Sequence, residues 1–312
     1  MKEDGSIIRG SIVLGPPGDY QPLAAQSRMN ENYNVKGPVL KLEQRKPCFP
    51  GFEHFVDYHS FDVEFSPSGQ VVHFTQYTGA GDVFRSECHS YDPSGKLARS
   101  LEFDIAESGA GATDYEHDSD GKRSGWTKRD KSGAIIGRGV EEHDGKLLVS
   151  LVSFRANDLL LRRKTFDYSD NKLVQSTSTY YIPNGDVAER WISTYDAEAR
   201  ISQTFGLKAD GKPLGDGRYV YEYDPEGRES QVLSFNDSAD DNEPNHIWRF
   251  AYNSDEHGNW IERCERSRFR NDPNWRKTVT TRKLTYSLPT TEPRSLTPIA
   301  AHGYSDHERA RD

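Results

Sequence analysis

The side chains most capable of chemistry are carboxylates, histidines and one run of arginines. His117-Asp118-Ser119-Asp120 and the group Asp237, Asp240 and Asp241 gather hard oxygen donors, the ligands a calcium ion takes. Neither run has EF-hand or nonapeptide calcium spacing, and both lie where turns are expected, so turn formation accounts for them. The ten histidines are scattered, and no HExxH pair is present. GxSxG, P-loop and strand-following GxGxxG patterns are also missing. A catalytic triad need not be local in sequence, so these absences do not by themselves close the question of an enzyme. The residues point to no cofactor and no metal. The remaining feature is basic: Arg263, Arg266, Arg268, Arg270, Arg276, Lys277, Arg282 and Lys283, with Phe269 and Trp275 among them. One reading is solvated strand faces guarded against edge pairing. The sharper reading is a patch for an acidic partner, where Arg and Trp are favoured anchors. On that reading Trp248, Trp260, Arg263, Arg266, Arg268, Arg270, Trp275 and Arg276 are the candidate contact residues.

The frame that must position these residues is unusual in composition. Hydrophobic residues make up 34% of 312, while 11% are aromatic. A thick apolar core is not expected; a sheet with much of its area in water is. The net charge of −9 repels phosphate backbones and argues against general nucleic-acid binding. No run approaches the roughly 18 apolar residues of a membrane helix. The start, MKEDGSIIRGSIVLGPPGDY, carries acidic residues where a secretory signal wants basic ones, which favours the cytoplasm. Cys48, Cys88 and Cys264 are odd in number and widely spaced, and are expected to be buried or half-buried free thiols.

Turn chemistry organises the chain. In YVYEYDPEGRESQVLSF (219–235), Asp224 can bond backbone N–H groups ahead of it, Pro225 presets φ, and Gly227 accepts positive φ. Such a loop joins two antiparallel strands through a bulge. The same grammar ends at Gly69, Gly95, Gly121, Gly145, Asn171, Ala199, Gly227 and Gly258, at intervals of 24 to 31 residues. Asp92 plays in YDPSGK the part Asp224 plays in YDPEGR. A second set of breakers falls near the midpoints, including Gly79-Ala80-Gly81-Asp82, Ser108-Gly109-Ala110-Gly111 and Pro183-Asn184-Gly185. Extended runs of about 8 to 10 residues remain between turns, as a hairpin meander requires. Gly215-Asp216-Gly217 is read as a further turn.

GRYVYEYDPEGRE (217–229) and YDPSGKL (91–97) resemble the RHS/YD-repeat family, and RFAYNSDEHGNWIER (249–263) is similar with one inserted residue. The resemblance covers about residues 61–286. It implies a long β-sheet spiralling into a tube or shell. In large members that shell encloses a toxic C-terminal domain. This chain is too short for such a shell, and nothing after Tyr286 resembles the self-cleavage junction of those toxins. The toxin role is therefore not carried over.

The expected fold is all-β: a long antiparallel meander of about 16 strands forming a twisted or coiled repeat sheet, solenoid-like or like an open barrel. Residues 1–40 are expected to be a mostly irregular arm, with an opening strand near Val39 to Leu42. Residues 41–288 form the repeat sheet and 289–312 a flexible tail. The expected function is non-enzymatic: a binding or scaffold protein engaging another protein, an effector or toxin by family analogy. The alternative is an enzyme or small-ligand carrier using the concave side. Membrane insertion as a barrel is rejected because charges fall on both faces of many strands, such as Arg162, Arg163 and Lys164.

Overall fold

The computed structural model describes residues 35–47, 56–104, 109–236 and 243–287. The described residues form eighteen strands. The first six are β1 (Val39–Arg45), β2 (Val56–Phe65), β3 (Val71–Thr78), β4 (Val83–Tyr91), β5 (Leu97–Asp104) and β6 (Gly109–His117). Next come β7 (Arg123–Arg129), β8 (Ile135–Asp144), β9 (Leu147–Arg155), β10 (Leu160–Ser169), β11 (Lys172–Tyr181) and β12 (Val187–Tyr195). The last are β13 (Ile201–Lys208), β14 (Pro213–Tyr223), β15 (Glu229–Phe235), β16 (His246–Ser254), β17 (Trp260–Phe269) and β18 (Arg276–Tyr286).

Each strand pairs antiparallel with its sequence neighbours, and β1 also pairs with β18. The sheet is therefore a closed barrel. This corrects the expected solenoid-like or open-barrel-like sheet. β1 supplies the reason: Leu42 sits between Val63 of β2 and Leu284 of β18, so the opening strand fills the gap between first and last hairpins. Closure removes the two sheet edges that an open meander would expose.

The turns follow the expected chemistry. Gly95 N donates to Asp92 O at 2.9 Å, and the Asp92 carboxylate accepts from Ser94 N and Lys96 N, each at 2.9 Å. In the Asp224 turn, Gly227 N donates to Asp224 O at 2.9 Å, while Arg228 Nε donates to the carboxylate at 2.7 Å. Positive φ occurs at every repeat position, from Gly69 (81°) and Gly95 (83°) to Gly227 (80°) and Gly258 (77°), and at Asn171 and Ala199 (both 61°). The breakers at Gly81 (91°) and Gly185 (91°) turn the chain at the opposite rim. Two expected turns fall inside strands. Gly109, Ala110 and Gly111 belong to β6, and residues 215–217 lie inside β14, in an irregularity between the Phe205–Arg218 and Leu207–Pro213 pairs. The tyrosine before the turn has a use beyond stacking. The hydroxyls of Tyr91, Tyr168 and Tyr223 donate to the carbonyls of Val71 (2.6 Å), Leu148 (2.9 Å) and Ile201 (2.8 Å), tying each hairpin to the one before it.

Directly paired residues share a face. Following the pairs around the barrel assigns Leu42, Val63, Phe74, Glu87 and Glu102 to one face, then Gly139, Ser153, Arg162 and Tyr180, and finally Tyr219, Ser234 and His246. Most buried residues belong to this face, including Gln76, His89, Ser100, Ser176, Ser178 and Thr280; Thr75, Ser150, Val152 and Phe235 are exceptions on the other. Side chains converge inside a cylinder and diverge outside it, so the crowded face is the inner wall. As a circular cylinder with strands about 4.8 Å apart and tilted by about 40°, eighteen strands enclose a backbone diameter of about 36 Å. Inward side chains cannot fill that width. The inner wall is accordingly polar. Arg123 Nε meets Glu141 at 2.5 Å, and Lys128 reaches Glu102 at 2.8 Å across the side-chain-free Gly111. An apolar cluster sits at the closing seam: Val35, Val39, Leu42, Val63, Phe65 and Val71, flanked by Phe61, Phe74, Leu284 and Tyr286, while Leu97, Leu151, Tyr219 and Val232 are buried elsewhere in the sheet. That explains how a chain with 34% hydrophobic residues folds.

The cysteine expectation fails at one position. Cys88 is exposed on the outer wall, whereas Cys264 is half-buried. Cys48, the Asp237–Asp241 group and the 289–312 tail lie outside the described residues.

Candidate partner-binding surface

The basic run of residues 263–283 occupies β17, β18 and the loop between them. Strand alternation divides it between two walls. Arg263, Glu265, Ser267 and Phe269 face inward with Trp248, while Arg266 and Arg268 face outward. The eight candidates therefore do not form one site.

The inward group is a packed aromatic and arginine lining. The His246 ring lies 3.6 Å from Trp248 and 3.9 Å from Phe269, centroid to centroid. Burial pushes its pKa down to about 4. Arg282 stacks on Trp260 at 3.6 Å and donates to Gln44 at 2.9 Å. Burial, then repulsion from Arg263, brings its pKa down to about 9. Arg263 itself lies 5.3 Å over Phe250 and 5.9 Å over Trp260. Arg276 lies 5.5 Å over Phe269. These contacts order the inner wall and join strands across the sheet. Arg270 stands apart at the rim, where it pairs with Glu243 at 3.3 Å.

The outward group makes a surface. Arg249 of β16 pairs with Arg266 of β17, which pairs with Lys277 of β18, so three cations stand side by side across three strands. Trp275 folds over the row's end, with the Arg249 guanidinium 5.2 Å and the Arg268 guanidinium 5.1 Å from its ring centre. Arg249, Arg266, Trp275 and Lys277 line an open depression of about 380 Å³. Arg249 is oriented by a 3.0 Å bond from Nε to Gln231 Oε1. Arg266 and Lys277 are exposed and form no ion pair with any described carboxylate. Such an arrangement attracts anions without neutralising itself first.

Of the candidates, Arg266, Arg268 and Trp275 meet here; Trp248, Trp260, Arg263 and Arg276 do not. Arg249 was missed because it lies outside the basic run. Its signal was available in the turn at 255–258, whose geometry fixes the register that sets Arg249 opposite Arg266. The acidic turn residues act structurally: Asp118 accepts from Lys122 N at 2.8 Å, as Asp92 does from Lys96.

No family model matches the chain, and no curated protein matches it. Among solved structures, a porin-like protein from Bacteroides uniformis is similar with a TM-score of 0.43 and 11% identity, over 80% of this chain and 99% of that one. A porin-like protein from Bacteroides vulgatus gives 0.29 and 10%, over 80% and 98%. A TcdB2-TccC3-Cdc42 structure gives 0.26 and 11%, over 72% of this chain and 15% of that chain. Similarity at this level carries no argument about what the chain does.

Proposed function

We propose that this chain is a non-enzymatic scaffold, a water-facing barrel of YD-type hairpins that binds an acidic protein partner on its outer wall. The observation that carries the reading is the row Arg249, Arg266 and Lys277, which has no ion pair among the described residues, beside the exposed Trp275. Arg and Trp are the residue types that dominate interface energetics, and they stand here in one depression. Elsewhere the distinctive residues are used by turns, ladders and inner-wall ion pairs.

A lipid-embedded barrel needs an outer apolar band. Here the outer wall carries Arg45, Asp62, Arg99, Asp114 and Arg138 along its strands, in addition to the basic row. An outward Arg or Lys costs about 2–4 kcal/mol at a membrane midplane and about 0–1 kcal/mol near its interfaces, and outward charges recur around this barrel. A water-facing barrel avoids that cost.

The test is affinity capture from a lysate of the source organism with the native chain and with a triple variant, Arg249→Glu, Arg266→Glu and Lys277→Glu. The native chain should retain an acidic protein that the variant loses and that elutes as salt rises. Identical captured sets would overturn the reading.

A further inference from the structure

We infer that the occupant of this groove is an acidic helix lying across β16, β17 and β18, with carboxylates at positions i, i+3 and i+7. The inference rests on the reading of the groove as a partner site and adds the shape of what enters it.

The argument is one of spacing. Arg249, Arg266 and Lys277 are direct cross-strand neighbours, so their Cα positions advance by about 4.8 Å per strand and span about 9.6 Å. An α-helix rises about 1.5 Å per residue, which places i, i+3 and i+7 at about 0, 4.5 and 10.5 Å along one face. An extended peptide presents same-side residues about 6.7 Å apart and overshoots the row by its third carboxylate. The row is partly preset. Arg249 is held by Gln231 and by the Trp275 ring, and that ring also holds Arg268.

The flanks suit a helix as well. Ala251, Cys264 and Val279 pair across the same three strands one step further along the outer wall, making an apolar row parallel to the basic one. On the other side stand Ile247, opposite Arg268, and Trp275. Outer-wall rows lie about 6.7 Å apart. A helix about 10 Å across would therefore set carboxylates on the cations while its neighbouring side chains cover an apolar margin. Charge complementarity sets the contact's sign, and strand spacing sets its period.

The test uses the full chain and two fluorescent peptides of identical composition and equal helicity. One carries Glu at i, i+3 and i+7; in the other the same residues are spread around the helix. Anisotropy at low salt should show the phased peptide binding about tenfold tighter or better. Arg266→Glu, or independently Lys277→Glu, should remove the preference; both residues are exposed and form no ion pair with any described carboxylate, so the fold should hold. Equal affinity for the two peptides would overturn the helix while leaving an acidic partner in place. Tighter binding of an extended peptide with alternating Glu would do the same. If no peptide binds, the helix is again rejected, and the capture experiment decides separately whether the groove takes a partner.

Discussion

Asn259→Ala should open the barrel at its seam. Asn259 is fully buried and follows Gly258, the last repeat position. At other repeats a Gln, Lys or Arg after the turn reaches the adjacent hairpin, as Lys172 Nζ does to Ala197 O at 3.4 Å. Asn259 instead grips the chain entering β1. Its Nδ2 donates to Lys36 O at 2.8 Å and to the Tyr286 hydroxyl at 2.7 Å, and its Oδ1 accepts from Lys36 N. Tyr286 in turn donates to Asp255, the residue that opens the turn. One side chain thus joins the start of β1, the β16–β17 turn and the end of β18. Each of the three bonds is worth about 0.5–1.5 kcal/mol net, and truncation also leaves both polar groups of Lys36 without that partner, so the loss should be about 2–4 kcal/mol. Urea unfolding reads the total. Hydrogen exchange reads the place: amides of β1 should exchange faster in the variant, while those of β9–β12 should change little. Lys172→Ala, which removes an exposed contact, should stay within about 0.5 kcal/mol. If Asn259→Ala is equally mild and β1 keeps its protection, the seam is not held as described.

Further expectations concern turns, the inner wall and pH. Gly227→Val places a branched residue at φ of 80° and should destabilise by more than about 1 kcal/mol, whereas Ala199→Gly relieves a φ of 61° and should stabilise by roughly 0.5–1 kcal/mol in the same urea assay. A Cβ at Gly139 would fall 2.2 Å from Trp126 Nε1, so Gly139→Val should destabilise by about 1–3 kcal/mol, and Trp126→Leu in the same chain should recover part of that loss. His246 has its pKa lowered to about 4 from an ordinary 6.5, so the unfolded chain binds its proton first. Its contribution is full above pH 6.5 and falls as pH drops towards 4, by up to roughly 3 kcal/mol. Unfolding at neutral and mildly acidic pH should show a smaller acid loss for His246→Phe than for the native chain; equal losses would contradict the assignment.

What could be read from the sequence was local. Asp at the first turn position and Gly at the fourth act within a few residues, so the Asp92–Gly95 and Asp224–Gly227 turns, and the hairpins they close, were legible. Closure was not, because it depends on β1 meeting β18, as in the Arg282–Gln44 bond between residues 238 apart in sequence. Gly111 looks like a turn glycine but lies on the inner wall, where Lys128 passes to reach Glu102. The basic run was found, yet the division of Arg263 from Arg266 follows from the face each occupies. Composition carried less still: Cys88 was expected under cover and stands on the outside.

The division into inner and outer walls is the claim on which the binding surface depends, and cysteine labelling tests it most directly. With Cys48, Cys88 and Cys264 replaced by Ser, Arg266→Cys and Ser267→Cys place single thiols on adjacent residues of β17. A bulky polyethylene-glycol maleimide should modify the outward thiol at residue 266 quickly and the inward one at residue 267 far more slowly. A small maleimide should reach both once the chain is unfolded in urea. Equal rates with the bulky reagent in the native state would contradict a closed barrel with Arg266 on its outside.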